Sequence, residues 1–192
     1  SGFVQQCRMA GTILVSGRCY NGFWYIGGIL GDSLSTTYQD CCFNGDIEID
    51  VTLEKSGSGN YYVAGLSGNN VYDIVKRCYV SGIILDCGSE IFFTPRWLFG
   101  KYSNEEIDCY YPSGSFDPSM DVPESGCIAT SLSSMMAQST FEGFDFVNVW
   151  SMDQSYPIQQ AFTKYYAGAV SGGSEEKPDE KPDRALHFRS YW

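Results

Sequence analysis

Short runs of alternating apolar and polar residues, broken by glycine at regular places, recur along this chain. Ile47-Glu48-Ile49-Asp50-Val51 is the clearest, and Tyr25-Ile26 leading into Ile29 is another. A period of two marks a strand with one face buried, and regularly placed glycine marks a turn. The pattern predicts many short strands. The 21 glycines and 14 tyrosines fit that expectation, since both residue types favour turns and strands over helices.

The runs repeat. Cys7-Arg8-Met9-Ala10-Gly11-Thr12-Ile13 returns as Cys41-Cys42-Phe43-Asn44-Gly45-Asp46-Ile47 and as Cys78-Tyr79-Val80-Ser81-Gly82-Ile83-Ile84, and a looser copy starts at Cys109. The four cysteines stand 34, 37 and 31 residues apart. A second block moves with the first. Tyr25-Ile26-Gly27-Gly28-Ile29-Leu30-Gly31 matches Tyr62-Val63-Ala64-Gly65-Leu66-Ser67-Gly68, and Trp97-Leu98-Phe99-Gly100 is a degraded third copy. Two blocks at a nearly fixed offset are hard to obtain by chance.

A unit of this size made of short strands cannot bury its own apolar side, but stacked units can. The expected fold is therefore all-β, a parallel solenoid of three to four coils over residues 1–134. A closing segment over 135–170, with Phe141, Phe146 and Trp150 buried over the last coil, an acidic Pro/Gly/Ser linker over 171–184 and an apolar tail over 185–192 complete the expected organisation. Equivalent residues would form ladders about 4.8 Å apart. Cys7, Cys41, Cys78 and Cys109 would make one such ladder, buried and unbridged, because a thiol is content as a small apolar side chain. Cys41 and Cys42, being adjacent in a strand, would point to opposite faces. Cys19, Cys42, Cys87 and Cys127 remain off that ladder, and a disulfide among them would suit an extracellular protein, with no pair singled out. The tail would either add as a strand to the solenoid or a neighbouring subunit, or fray.

The Gly-Gly-Ile-x-Gly block followed by Cys-x-x-x-Gly-x-Ile resembles the GLUG-type repeats of bacterial surface proteins, and roughly residues 1–160 share the likeness. Thr140-Phe141-Glu142-Gly143-Phe144-Asp145-Phe146, with Val149-Trp150 and Tyr156-Pro157 behind it, is similar to the segment that ends such arrays. Phe144 stands where tryptophan is more usual there. The resemblance implies a right-handed parallel β-helix, exported or displayed on a particle as in adhesins and phage structural proteins. It implies no active site.

Charge narrows the partners. A net charge of −11 and a pI near 4.4 argue against nucleic acid and against an anionic membrane surface. No run approaches the roughly 20 apolar residues of a membrane span. Chemistry has little to draw on. His187 is the only histidine and lies beyond the linker, no serine sits in a nucleophile elbow, and no phosphate-cradling loop is visible. No cofactor is expected. Asp46, Glu48 and Asp50 would point outward together, either as a solvated face or as a calcium or sugar-processing site; Asp117, Asp121 and Glu124 form a second acidic candidate. The aromatic pairs Trp24–Tyr25, Tyr61–Tyr62 and Phe92–Phe93 fall in corresponding regions. One ring of each would face outward, making a flank that either packs or takes a glycan or protein receptor.

The expected function is thus a non-catalytic repeat module for adhesion or structural display, extracellular or at the cell surface. Its partners would be copies of itself, further repeats, or a glycan or host receptor. A phage tail or capsid appendage in the virion is the alternative, and a polysaccharide-degrading β-helix a third.

Overall fold

The structure, a computed structural model, describes residues 2–19, 22–53, 59–82, 84–86, 93–96, 98–100, 105–113, 126–152 and 156–163. Strands come in sets that follow the sequence repeat. The first set is β1 (Gly2–Gln5), β2 (Arg8–Met9), β3 (Thr12–Cys19), β4 (Gly22–Gly27) and β5 (Leu30–Leu34). The second is β6 (Thr36–Gln39), β7 (Cys42–Phe43), β8 (Asp46–Leu53), β9 (Gly59–Ala64) and β10 (Ser67–Val71). The third is β11 (Ile74–Lys76), β12 (Tyr79–Val80), β13 (Ile84–Asp86) and β14 (Phe93–Arg96). Two strands of a fourth follow, β15 (Glu105–Ile107) and β16 (Cys109–Pro112), and then β17 (Cys127–Thr130).

Pairing runs between sets. The sheets are β1-β6-β11-β15, β2-β7-β12-β16-β17, β3-β8-β13, β4-β9-β14 and β5-β10, with Phe99 bridging to Ser67 beside the last. Every pair among them is parallel. The register repeats the sequence offset: Ile13 lies opposite Ile47, which lies opposite Ile84. The molecule is all-β with several parallel sheets.

The glycines of the repeat have a steric cause. A Cβ on Gly45 would run into the Gly11 carbonyl oxygen, and one on Gly82 into that of Gly45. Successive backbones pass too closely here for any side chain. A second recurrent feature sits between the first two sheets, where Gln6, Asp40, Arg77 and Asp108 all adopt left-handed conformations, with φ of 51°, 54°, 51° and 52°. Each such residue costs of order 1–3 kcal/mol unless its surroundings fix it. At Asp40 and Arg77 charge helps to fix it: Arg77 Nε donates to Asp40 Oδ1 at 2.8 Å, with Asp40 almost wholly buried.

Alternation decides what lies inside. Ile47, Ile49, Tyr38, Phe43, Val63 and Leu66 are fully buried in the main core, while Glu48 and Asp50 between them face out. Cys41, Cys78 and Cys109 stand in the same core, with Cys7 and Cys127 packed at its margins. Cys127 was expected off this ladder, yet it pairs directly with Cys109. The repeat after Cys109 is only 18 residues long at that point, so its offset does not match the others.

Residues after β17 form a second layer. Two 3-10 turns, Ser134–Met136 and Gln138–Thr140, lead into the antiparallel pair β18 (Trp150–Met152) and β19 (Pro157–Gln159). Met135, Phe141, Phe144 and Trp150 bury themselves against Cys42, Tyr79 and Tyr110. Those three are the outward residues of β7, β12 and β16, the opposite face from the cysteine ladder. The closing segment was expected over the last coil. It lies instead along the flank of one sheet, where Cys42, Tyr79 and Tyr110 present an apolar column. Phe141 and Trp150 are buried as expected, whereas Phe146 is only half-buried.

Candidate functional site: an aromatic column and a thiol column

Strand β4 carries the outward rings. Trp24 shares a strand face with Ile26, which packs against the core, and Tyr25 shares the other with Phe23. Phe23 and Tyr25 stack at 6.4 Å, and Tyr25 stacks on Tyr62 of the next repeat at 5.7 Å. Parallel in-register pairing produces this, since Tyr25 lies opposite Tyr62. Phe23 is 62% exposed and Trp24 43%, while Tyr25 and Tyr62 are half-buried.

The third pair departs from expectation. Phe93 lies opposite Tyr61, so Thr94 and not an aromatic follows Tyr62. The shorter spacing of the third repeat shifts the register by one relative to a match of the aromatic pairs, and in a strand one residue exchanges the faces. The outward column is therefore Phe23, Tyr25 and Tyr62. Phe92 lies outside the described residues, and for Tyr61 and Phe93 only the backbone is described. Phe23 could have been found in the sequence by following alternation two residues back from Tyr25.

The acidic candidates separate. Asp46, Glu48 and Asp50 project from β8 as expected, with Ile47 and Ile49 inward. Their cross-strand neighbours are Thr12, Leu14 and Ser16 on one side and Leu85 opposite Glu48 on the other. No further carboxylate joins them from those positions. Among the described residues no group of three His, Cys, Asp or Glu side chains could hold a metal ion. Asp117, Asp121, Glu124 and His187 lie outside the described residues. The buried Asp73 carboxylate accepts hydrogen bonds from the Ser33 hydroxyl and the Thr36 N–H at 2.5 and 2.6 Å, which ties the corner between β5 and β6 to the next repeat.

The thiols are unbridged. Cys7, Cys41, Cys42, Cys78, Cys109 and Cys127 are all free. Cys41 Sγ donates to the Val4 and Gln39 carbonyls at 3.5 and 3.3 Å, and Cys78 and Cys109 make the same bond to residues two before them. Burial pushes the Cys78 thiol up and raises that of Cys42 to about 12, so neither forms a nucleophilic thiolate. A disulfide from Cys42 or Cys127 is thereby corrected. The side chain of Cys19, and Cys87 altogether, lie outside the described residues.

The closing segment's residues each acquire a mechanical role. Gly143 has φ +83°, and a Cβ there would strike the Asp108 carboxylate. Asp145 Oδ1 accepts from the Val147 and Asn148 N–H groups at 3.0 Å, and hydrogen bonds from Asn148 hold its carboxyl below the usual range. The Tyr79 hydroxyl donates to the Pro157 carbonyl, and Tyr110 donates to that of Glu142 at 3.2 Å. Trp150 Nε1 donates to Asp40 Oδ1 at 3.3 Å. Gln159 Nε2 donates to the carbonyls of Cys7 and Asp40 at 3.3 and 2.9 Å. A shallow concavity lined by Gln138, Phe141, Glu142 and Phe146 lies on this segment and opens to solvent.

Comparison of the chain with family models, curated proteins and solved structures yields no match. Among the described residues no helix is long and apolar enough to cross a membrane.

Proposed function

We propose that the chain is a GLUG-like module whose strands wind as a right-handed parallel β-helix, and that it serves extracellular adhesion or structural display without catalysis. The observation that carries this reading is the outward column of Phe23, Tyr25 and Tyr62, stacked at 6.4 and 5.7 Å on a parallel sheet. Flat rings at such spacing suit the apolar faces of successive sugars, and the polar edge of tyrosine adds hydrogen bonds. A rigid sheet pre-organises the rings, which lowers the entropy lost on binding. The parallel offset common to the sheets supports the winding. The neutral cross-strand neighbours of Asp46, Glu48 and Asp50 weigh against a sugar-cleaving pair of carboxylates, whose acid and base need unlike surroundings to take their two roles.

The test is a glycan array followed by titration of Tyr25→Ala, Tyr62→Ala and the double variant. A tenfold or greater loss for each single change, with intact circular dichroism, supports the reading. Unchanged binding in the double variant, or turnover of a bound glycan, refutes it. The free thiols favour a second reading. Six unbridged cysteines, five of them in one column, suit assembly in a reducing cytoplasm. A phage tail or capsid appendage is made there, and the same aromatic column would then meet a receptor from the virion.

A further inference from the structure

Strands β16 and β17 pair in parallel, with Cys109 directly opposite Cys127. Residues in register on paired strands project to the same face, and the strands lie about 4.8 Å apart. That separation falls within the roughly 4.4–6.8 Å between Cα atoms that a disulfide spans. Both thiols are free in the structure. Their settings differ: Cys109 is buried in the main core, whereas Cys127 is half-buried at its margin.

The group beside Cys127 sets this pair apart. Cys127 Sγ donates to Glu106 Oε2 at 2.9 Å. Gly126 brings the two together: it has φ +84°, and a Cβ there would meet the Glu106 carbonyl oxygen at 2.7 Å. Glycine alone takes that conformation freely and lets the chain pass so close to β15. Cys7, another half-buried thiol, donates to the Gln5 carbonyl at 3.5 Å, a group that cannot take its proton. Cys41 and Cys78 are fully buried. A thiol reacts as its thiolate, so a carboxylate that accepts the proton matters most where a small solute can reach the sulfur. At Cys109 burial opposes ionisation, but hydrogen bonding with Cys127 and Cys78 outweighs it and holds the thiol well below its ordinary range.

We propose that Cys109 and Cys127 form an oxidation site that closes into a disulfide when hydrogen peroxide reaches Cys127. Glu106 accepts the Cys127 thiol proton, and the thiolate attacks one peroxide oxygen. The O–O bond breaks, Cys127 becomes a sulfenic acid, and the departing hydroxide takes the proton from Glu106 as water. Cys109 then attacks the Cys127 sulfur. The S–O bond breaks, an S–S bond forms, and the leaving hydroxide takes the Cys109 proton as a second water. The two thiols thus lose two electrons and two protons, and one hydrogen peroxide becomes two waters. The bond would fasten β17, and the closing segment that follows it, to the core. Such a pair stays open in a reducing compartment and closes on meeting an oxidant, so it serves a module at a cell surface and one in a virion alike.

Titration of the intact chain with hydrogen peroxide, followed by non-reducing peptide mass spectrometry, tests it. The expected product joins the peptides of Cys109 and Cys127. A dimedone-type probe should trap the Cys127 sulfenic acid in Cys109→Ser. Glu106→Gln should slow closure at least about tenfold with intact circular dichroism, and Cys7→Ser should change neither rate nor product. Hydrogen exchange on the wild type does not depend on variants folding: amides of β17 should gain protection on oxidation and lose it on reduction. A cross-link from Cys127 to a different cysteine, sulfinic acid at Cys127 in place of a cross-link, or oxidation that begins only in denaturant overturns the pair. An unchanged rate in folded Glu106→Gln overturns the part given to the carboxylate.

Discussion

Replacing Trp150 measures how firmly the closing segment holds the repeats. The indole is fully buried, with ring centroids 5.8 Å from Tyr79 and 4.9 Å from Phe144, and its N–H reaches Asp40. Loss of a large buried aromatic costs about 3–5 kcal/mol. A hydrogen bond to a charged group contributes about 1.5–3 kcal/mol, and Asp40 keeps Arg77 as a partner, so the lower end applies. Trp150→Ala should therefore lose about 3–5 kcal/mol in urea unfolding, and Trp150→Phe about 1–2, since it keeps an apolar ring but no donor. Stability of a domain is typically about 5–15 kcal/mol, so the alanine variant should be marginal and prone to aggregate. Coupling can be isolated with Asp40→Asn in a double-mutant cycle. If Trp150→Ala unfolds within about 0.5 kcal/mol of wild type, the size of an ordinary surface change, the packing described for the segment is wrong.

Arg77→Met should cost about 3–5 kcal/mol by leaving the buried Asp40 without its cation, and adding Asp40→Asn should recover a large part of it in thermal unfolding. Gly82→Ala should destabilise by about 1–3 kcal/mol, because its Cβ meets the Gly45 carbonyl; a neutral result would mean that these backbones do not approach closely. Cys42, raised to about 12 by burial, keeps its proton in the folded chain at pH values where the unfolded chain loses it. Its contribution is complete below about pH 9 and falls by up to about 1.4 kcal/mol per unit as pH climbs towards 12. Cys42→Ala should flatten alkaline unfolding over that window, and an equal slope would contradict the assignment. A thiol reagent should modify Cys7 and Cys127 in the native protein and reach Cys41, Cys78 and Cys109 only in denaturant, as peptide mass spectrometry can show.

The parallel pairing was legible because it leaves a mark at two levels. Backbone proximity forces glycine at 45 and 82, and burial forces thiols at 41 and 78, so offset and chemistry agreed. What the sequence hid lies where the offset changes. Spacing puts Cys127 off the ladder because its repeat is 18 residues long, and it aligns Phe93 with Tyr62 in place of Tyr61 because the third repeat is shorter. The flank position of the closing segment had a signal that spacing alone does not weigh. Cys42, Tyr79 and Tyr110 form an outward apolar column beside the inward cysteines, and an apolar column on an outer face calls for cover. The left-handed conformations at Gln6 and Arg77 carry no such mark, since neither residue favours them, whereas Asp40 and Asp108 are of a type that visits that region more readily.

The closing segment touches every set of strands in turn: the Cys7 carbonyl in the first, Asp40 in the second, Tyr79 in the third and Tyr110 in the fourth. It therefore works as a gauge. Paired strands lie about 4.8 Å apart, so a further set of strands would add a step of that size along the flank. A segment with fixed anchor points cannot follow. Insertion of one unit would carry Cys7 and Asp40 a step away from Gln159 and Trp150, leaving a buried amide and an indole N–H without acceptors. Deletion of residues 41–77 would bring Asp40 directly beside Asp108, two carboxylates with no arginine between them. The flank contacts thus tie the segment to the number of strand sets between Cys7 and Tyr110.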